Sequence, residues 1–233
     1  MMRGLFVTGT DTSVGKTVVS AALMHRYRKE VSLRYWKPVQ TGSEQDDDTS
    51  AVRALGTCRV DEILDEGVRL KHPLSPHLAA KLEGKRITIE QVHCSLTTHA
   101  DAKVTWIIEG AGGVLVPINE SEQMVDLIRM FSLPVLVVVN TKLGTINHTL
   151  LTIEALRRRA LIVAGIVMVG ERNRPNREAI ESHSVVSVLG ELPHLSELNA
   201  ANLGRWSRSE LDQEGVLLDH LKLPHHQQLG IKS

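Results

Sequence analysis

The chain has 233 residues with 27 basic and 27 acidic side chains, so its formal charge is zero with histidine neutral, which argues against a general polyanion binder. Two Phe, three Trp and two Tyr are too few rings for a base-stacking surface, and the longest apolar run, 133–139, is far short of the roughly 20 residues that cross a bilayer. With no charged lead or cleavage pattern before Leu5 and no CxxC pair from Cys58 and Cys94, the expectation is a cytoplasmic, soluble globular protein without membrane or nucleic-acid partners.

The first predicted element is a short apolar strand over 4–8. It runs into Thr8-Gly9-Thr10-Asp11-Thr12-Ser13-Val14-Gly15-Lys16-Thr17, and a helix over 16–29 follows, with Val18, Val19, Ala22 and Leu23 at helical offsets. A loop feeding a helix start points backbone N–H groups at an anion, and the helix dipole adds favourable potential. Thr12, Ser13, Val14, Gly15, Lys16, Thr17 and Val18 are therefore phosphate-binding candidates, with Lys16 for the outer phosphates and the Thr17 hydroxyl for Mg²⁺. The spacing departs from the strict pattern, because Thr10 holds the usual first-glycine position. An accidental Gly-Lys-Thr is the bland alternative, and the strand–loop–helix context counts against it.

A second strand over 32–36 brings Lys37 to its carboxyl end, and Pro38 biases that lysine to an extended backbone. Asp46-Asp47-Asp48 lead into a helix, where N-capping is one reading of any single member. Residues 56–103 form an excursion within one domain, broken by Pro73 and Pro76 and holding a helix over 89–98. A third strand, 104–108, delivers Glu109 to its carboxyl end, and Gly110, Gly112 and Gly113 around Ala111 permit close backbone approach. Mg²⁺ prefers hard oxygen ligands, and one or two carboxylates suffice.

A fourth strand over 134–139 precedes Leu143-Gly144-Thr145-Ile146-Asn147, which open a helix over 145–158. A fifth strand spans 161–169. The polar residues 222–233 read as a frayed tail, leaving 1–221 as a single domain. Buried strands alternating with helices imply an α/β fold of the P-loop nucleoside-triphosphatase type, with a mainly parallel sheet covered on both faces. Its ligands belong beyond the carboxyl ends of the strands. The eleven histidines show no HExxH or spaced Cys/His set, so His72, His77, His93 and His99 are expected at the surface.

A P-loop alone says only nucleotide. Asn140-Thr141-Lys142-Leu143 lacks the carboxylate of the GTPase Asn-Lys-x-Asp pattern, and Asp11 stands where partitioning ATPases carry an extra loop lysine. The loop GTDTSVGKT, then Trp36-Lys37-Pro38-Val39-Gln40-Thr41-Gly42-Ser43, Glu109-Gly110-Ala111-Gly112-Gly113, Lys142–His148 and Leu189–Leu195 closely resemble the dethiobiotin synthetase family, in order from about residue 4 to 199. The resemblance implies an ATP- and Mg²⁺-dependent ligase that forms a urea ring from 7,8-diaminononanoate and CO₂ or bicarbonate, through a carbamate and a carbamate–phosphate mixed anhydride, in biotin synthesis.

It further implies Lys37 and Lys16 as catalytic groups and Thr17, Asp48 and Glu109 as metal ligands, with the register among Asp46, Asp47 and Asp48 open. Thr12, Lys37 and Thr41 would contact the diamine. Glu109, Gly110, Ala111 and Gly112 would line the nucleotide, and Val169, Gly170, Pro193, His194 and Leu195 would flank the base. Leu143, Gly144, Thr145, Ile146 and Asn147 would hold the substrate's tail across a homodimer interface. Two departures weaken the carry-over. Ser13 stands where some relatives are acidic, and Val169 where several have asparagine, which implies relaxed base selection. The alternative is a switch ATPase of the partitioning class, against which stands the acidic character of 209–221, the wrong sign for anionic lipid.

Overall fold

In a computed structural model, which describes residues 2–99 and 101–223, the aliphatic runs become strands and the amphipathic stretches between them become helices. The first part of the chain forms β1 (Arg3–Gly9), α1 (Lys16–Tyr27), β2 (Leu33–Trp36), β3 (Val39–Gln40), α2 (Asp48–Leu55), β4 (Ile63–Leu64), β5 (Val68–Arg69), α3 (Pro76–Leu82) and α4 (Ile89–Thr97). The remainder forms β6 (Thr105–Gly113), α5 (Met124–Phe131), β7 (Val135–Asn140), α6 (Thr145–Arg157), β8 (Val163–Val169), α7 (Arg174–Ser184), β9 (Val188–Leu192), α8 (Ala200–Ser209) and α9 (Val216–Lys222). No helix of the described residues is long and apolar enough to cross a membrane.

Among the described residues, the main sheet has seven strands in the order β4-β2-β6-β1-β7-β8-β9, and every pairing is parallel. The chain leaves β1 toward β2, returns to fill the gap with β6, and then continues on the other side through β7. That reversal lies beside β1, and in open parallel sheets such a switch point opens a crevice at the carboxyl ends of the strands.

Strand alternation sorts the side chains between two cores. Phe6, Trp36, Trp106 and Ile108 face one side, where they meet Ile128, Phe131, Ile153 and Leu156. Leu5, Val7, Tyr35 and Ile107 face the other, against Val19, Leu23 and Tyr27 of α1 and Leu203, Trp206 and Leu217 near the carboxyl end. Period two therefore sends Lys37 and Glu109 toward α1 as well. The excursion over 56–103 joins the first core through Leu70, Ala79, Ile89, Val92 and Leu96.

Three boundaries differ from the sequence reading. Strand β6 continues through the glycines, because Gly9 and Gly113 pair; Glu109 thus lies within the strand, opposite Val7, and not at its end. Strand β9 contains Gly190 and Glu191 and has little intrinsic strand character, yet it pairs with β8. Lys222, assigned to the tail by sequence, ends α9, and residues 224–233 of that tail lie outside the described residues.

One polar clamp closes the second core. The Tyr27 hydroxyl donates to Asp212 Oδ2 at 2.5 Å, and the same oxygen accepts from the amides of Leu217 and Leu218 at 3.0 and 3.2 Å. Asp212 thereby caps α9 and ties it to the end of α1. Burial, reinforced by the Asp212 hydrogen bond, raises the Tyr27 pKa. Tyr27→Phe should lower the unfolding free energy in urea by about 1.5–3 kcal/mol, the range for a hydrogen bond to a charged group. A loss below about 0.5 kcal/mol would show that the clamp contributes little.

Candidate active site

The loop after β1 is folded back on itself. A Cβ on Gly9 would lie 2.6 Å from Val14 Cγ2 and 2.9 Å from the Asp11 carbonyl oxygen, so glycine is required where the loop crosses the strand end. Ser13 and Gly15 take the left-handed conformation, with φ of 55° and 99°, and Gly15 caps α1. Successive amides in such a loop form a concave anion nest. Lys16 arches over it, its Nζ donating to the Asp11 carbonyl at 2.8 Å. Burial and then the neighbouring Lys37 charge press the Lys16 pKa down to about 8, so a bound anion would be its natural counter-charge.

The second part of the site is a cluster of charged and hydroxyl side chains against the start of α1. Glu109 is fully buried, and its two oxygens have different partners. Oε1 lies 3.0 Å from the Thr17 hydroxyl and 2.9 Å from Lys37 Nζ. Oε2 accepts from Ser20 at 2.7 Å and from Tyr35 at 3.1 Å. Asp48, at the first turn of α2, places Oδ1 2.8 Å from the Thr17 hydroxyl and Oδ2 2.5 Å from Lys37 Nζ. Burial opposes charge on Lys37, but Glu109 and Asp48 outweigh it and raise its pKa. For Asp48 burial is likewise outweighed, by the Lys37 charge and hydrogen bonds, and its pKa falls.

Of the three successive aspartates, Asp48 joins this cluster. Asp47 instead caps α2 by accepting from the Ser50 amide at 3.1 Å, and Asp46 is exposed. The Thr17 oxygen lies within 3.0 Å of one oxygen from each carboxylate, and its single proton serves one of them at a time. Three hard oxygen donors in this arrangement match the preference of Mg²⁺.

The other predicted residues occupy the same end of the sheet, with distinct surroundings. Gly110 packs against the Phe6 ring, which a Cβ there would meet at 2.9 Å, and its carbonyl oxygen lies 3.4 Å from Lys37 Nζ. Ala111 packs in the first core; Gly112 takes φ 66°. Val169 turns its methyls toward Gly15, 3.0 Å from the position a Cβ would take. Gly170 donates to Leu192 O at 2.9 Å, which sets Pro193, His194 and Leu195 beside the end of β8. Thr41, just past β3, is half-buried.

At the start of α6, Leu143 is 104 % exposed and Gly144 is left-handed. The Thr145 amide donates to Lys142 O at 3.1 Å, and the first i→i−4 bond is His148 to Gly144. The amides of Ile146 and Asn147 precede it. A cleft of about 460 Å³ lies beside this helix, lined by Thr10, Asp11, Gly113, Leu115, His148 and Leu151 among others.

Sequence reasoning missed Ser20 and Tyr35. Their signals were present: Ser20 follows Thr17 by three residues on one helix face, and Tyr35 precedes Lys37 by two on one strand face.

Comparison with known proteins gives a consistent result. A family model described as an AAA domain matches residues 3–202. The ATP-dependent dethiobiotin synthetase BioD of Paramagnetospirillum magneticum is 46% identical over 202 residues, covering 87% of this chain and 93% of that protein. Its namesake from Brucella ovis is 42% identical over 203 residues, covering 87% and 92%. Among solved structures, a ParA family ATPase from Chlorobium tepidum matches with a TM-score of 0.55 at 9% identity, covering 88% of this chain and 98% of that one. The septum site-determining protein MinD of Pyrococcus horikoshii matches with a TM-score of 0.54 at 14% identity, covering 89% and 95%. These two establish a shared fold and nothing about activity.

Lys37 supplies the cluster's nearest positive charge to both carboxylates. Lys37→Met should therefore lower the unfolding free energy of the ligand-free protein by about 3–5 kcal/mol, the cost of leaving a buried charge without its partner. An unchanged urea midpoint would contradict this electrostatic account.

Proposed function

The chain belongs to the ATP-dependent dethiobiotin synthetase family and is an ATP-dependent ligase, and from that premise we propose how its own residues close the ureido ring of dethiobiotin from 7,8-diaminononanoate, CO₂ and ATP. The observation that carries the proposal is the convergence of Lys37, Thr17, Asp48 and Glu109 directly beside a phosphate-type loop.

The loop amides from Thr12 to Val18 and the Lys16 ammonium hold the triphosphate. Thr17, Asp48 and Glu109 hold Mg²⁺, which when bound neutralises charge on the phosphate oxygens. Thr12 and Thr41 orient the diamine at the mouth of the loop. One amine captures CO₂ as a carbamate, the carbamate oxygen takes the γ-phosphoryl group, and the second amine then attacks the carbamoyl carbon and expels phosphate. Negative charge gathers on oxygens throughout, so catalysis is mainly positioning and positive charge. Lys37 serves that need: its ammonium already donates to carboxylate oxygens, just past a strand end held by the sheet. Gly170, Pro193, His194 and Leu195 flank the base, and Val169, lacking an amide, gives it no hydrogen bond from its side chain. A cytoplasmic location belongs to the same proposal.

The substrate's carboxylate needs a separate anchor. The amides of Ile146 and Asn147, at the start of α6, form an anion site without a lysine. Leu143, Leu151 and Leu115 are exposed around it, an apolar rim suited to a second copy of the chain. A homodimer would then hold each substrate's tail with the partner's α6, and a two-fold dimer is the commonest oligomer.

ADP formation should require both the diamine and bicarbonate, and Lys37→Gln should lower kcat by about 10²–10³-fold, comparable with loss of one oxyanion donor. Binding of a non-hydrolysable ATP analogue should change far less. Near wild-type turnover in this variant, or ADP release without diamine, would refute the assignment.

Leu143→Asp puts a negative charge at the α6 start on a side chain that packs against nothing within its own chain. It should raise the diamine KM by about 2–5-fold at low ionic strength, the scale of a charge at a helix terminus, with ATP binding unaltered. An undisturbed KM, or sedimentation of a fully active monomer, would overturn the shared-site arrangement.

A further inference from the structure

Tyr35 and Ser20 take no part in the chemistry described above, yet both direct a hydroxyl at one atom of the site. Tyr35 is buried in β2, where it pairs with Ile107, so its side chain lies on the face that carries Glu109 one strand repeat further on. Ser20 is buried in α1, one turn after Thr17. From these two elements the hydroxyls converge on Glu109 Oε2, at 3.1 and 2.7 Å, while Oε1 of the same carboxylate meets Thr17 and Lys37. One oxygen of the carboxylate thus meets two neutral hydroxyls and the other meets Thr17 and Lys37.

We propose that Tyr35 and Ser20 are positioning residues that grip Glu109 through Oε2, fixing the carboxylate plane so that Oε1 is the oxygen offered to the metal. The inference rests on the reading of Glu109 as a metal ligand. Its physical basis is that a carboxylate with one oxygen held by two neutral donors keeps its charge but loses rotational freedom. The cost of orienting the ligand is then met during folding and not at metal binding. The grip also favours one-oxygen coordination over a two-oxygen chelate, since Oε2 already accepts two hydrogen bonds.

The test measures binding and not turnover. A non-hydrolysable ATP analogue is titrated calorimetrically, without metal and then at increasing Mg²⁺, into the wild-type chain and into Tyr35→Phe, Ser20→Ala, the double variant and Glu109→Gln. The Mg²⁺ concentration that half-saturates the tight complex should rise in each single variant and by about 10–100-fold in the double variant, the usual effect of removing partners behind a metal ligand. Metal-free affinity for the analogue should stay within about twofold, because the loop amides are untouched; a general loss of structure would lower both. A Mg²⁺ requirement unchanged in Tyr35→Phe and Ser20→Ala but raised in Glu109→Gln would overturn the grip and leave the ligand assignment standing. An unchanged requirement in Glu109→Gln would overturn the ligand assignment and the grip with it. Ser20→Ala, on a different element, carries the test if Tyr35→Phe does not yield folded protein.

Discussion

A carboxylate with no solvent exposure, Glu109, is the constraint around which this site is organised. An ionised group in such a place is tolerated only when it is paired and hydrogen-bonded, and the fold supplies donors from two elements and the residue after one of them: Thr17 and Ser20 from α1, Tyr35 from β2, and Lys37 just past it. Asp48 joins through Thr17 and Lys37, which extends the network to α2. The interior charge and its donors therefore fix how helix and strands meet.

The scaffold shared with the ParA and MinD structures carries a loop whose geometry is largely local. Gly9 turns the chain, Ser13 and Gly15 adopt left-handed backbone, and Lys16 folds back on Asp11. Two further groups of the cluster reach it from outside the loop: Lys37, just past β2, and Asp48, at the first turn of α2.

Legibility in the sequence followed the range of the interactions. The loop, the helix after it and the position of Lys37 could be read because Gly-Lys-Thr, the apolar spacing and Trp36-Lys37-Pro38 each act over a few residues. The parallel sheet was legible from alternating strand and helix patterns. The carboxyl half of β6 was not, because Gly110, Gly112 and Gly113 have poor strand propensity and are held by pairing with β1. The same holds for β9, with its Gly190 and Glu191. Among the three aspartates, Asp47 and Asp48 differ only in which one the helix start turns inward. For Ser20 and Tyr35 the local spacing to Thr17 and Lys37 gave the shared face, while their partner Glu109 lies 89 and 74 residues away, which no local pattern reports.

The late insertion of β6 has a consequence for how the chain acquires its structure. Strands β1 and β2 are separated in the finished sheet by a strand that begins only at Thr105, so within the first hundred residues β1 has no native neighbour and β2 has only its short ladder to β4. Until β6 slides between them, the Lys37 ammonium lacks the Glu109 carboxylate and β1 and β2 lack the ladders they share with β6. Closing loops of that length before any contact rewards them is slow. On a ribosome, the phosphate loop would leave the exit tunnel well before the strand that completes its metal-binding side, so the nascent chain would pass through an interval with the loop made and the site unmade.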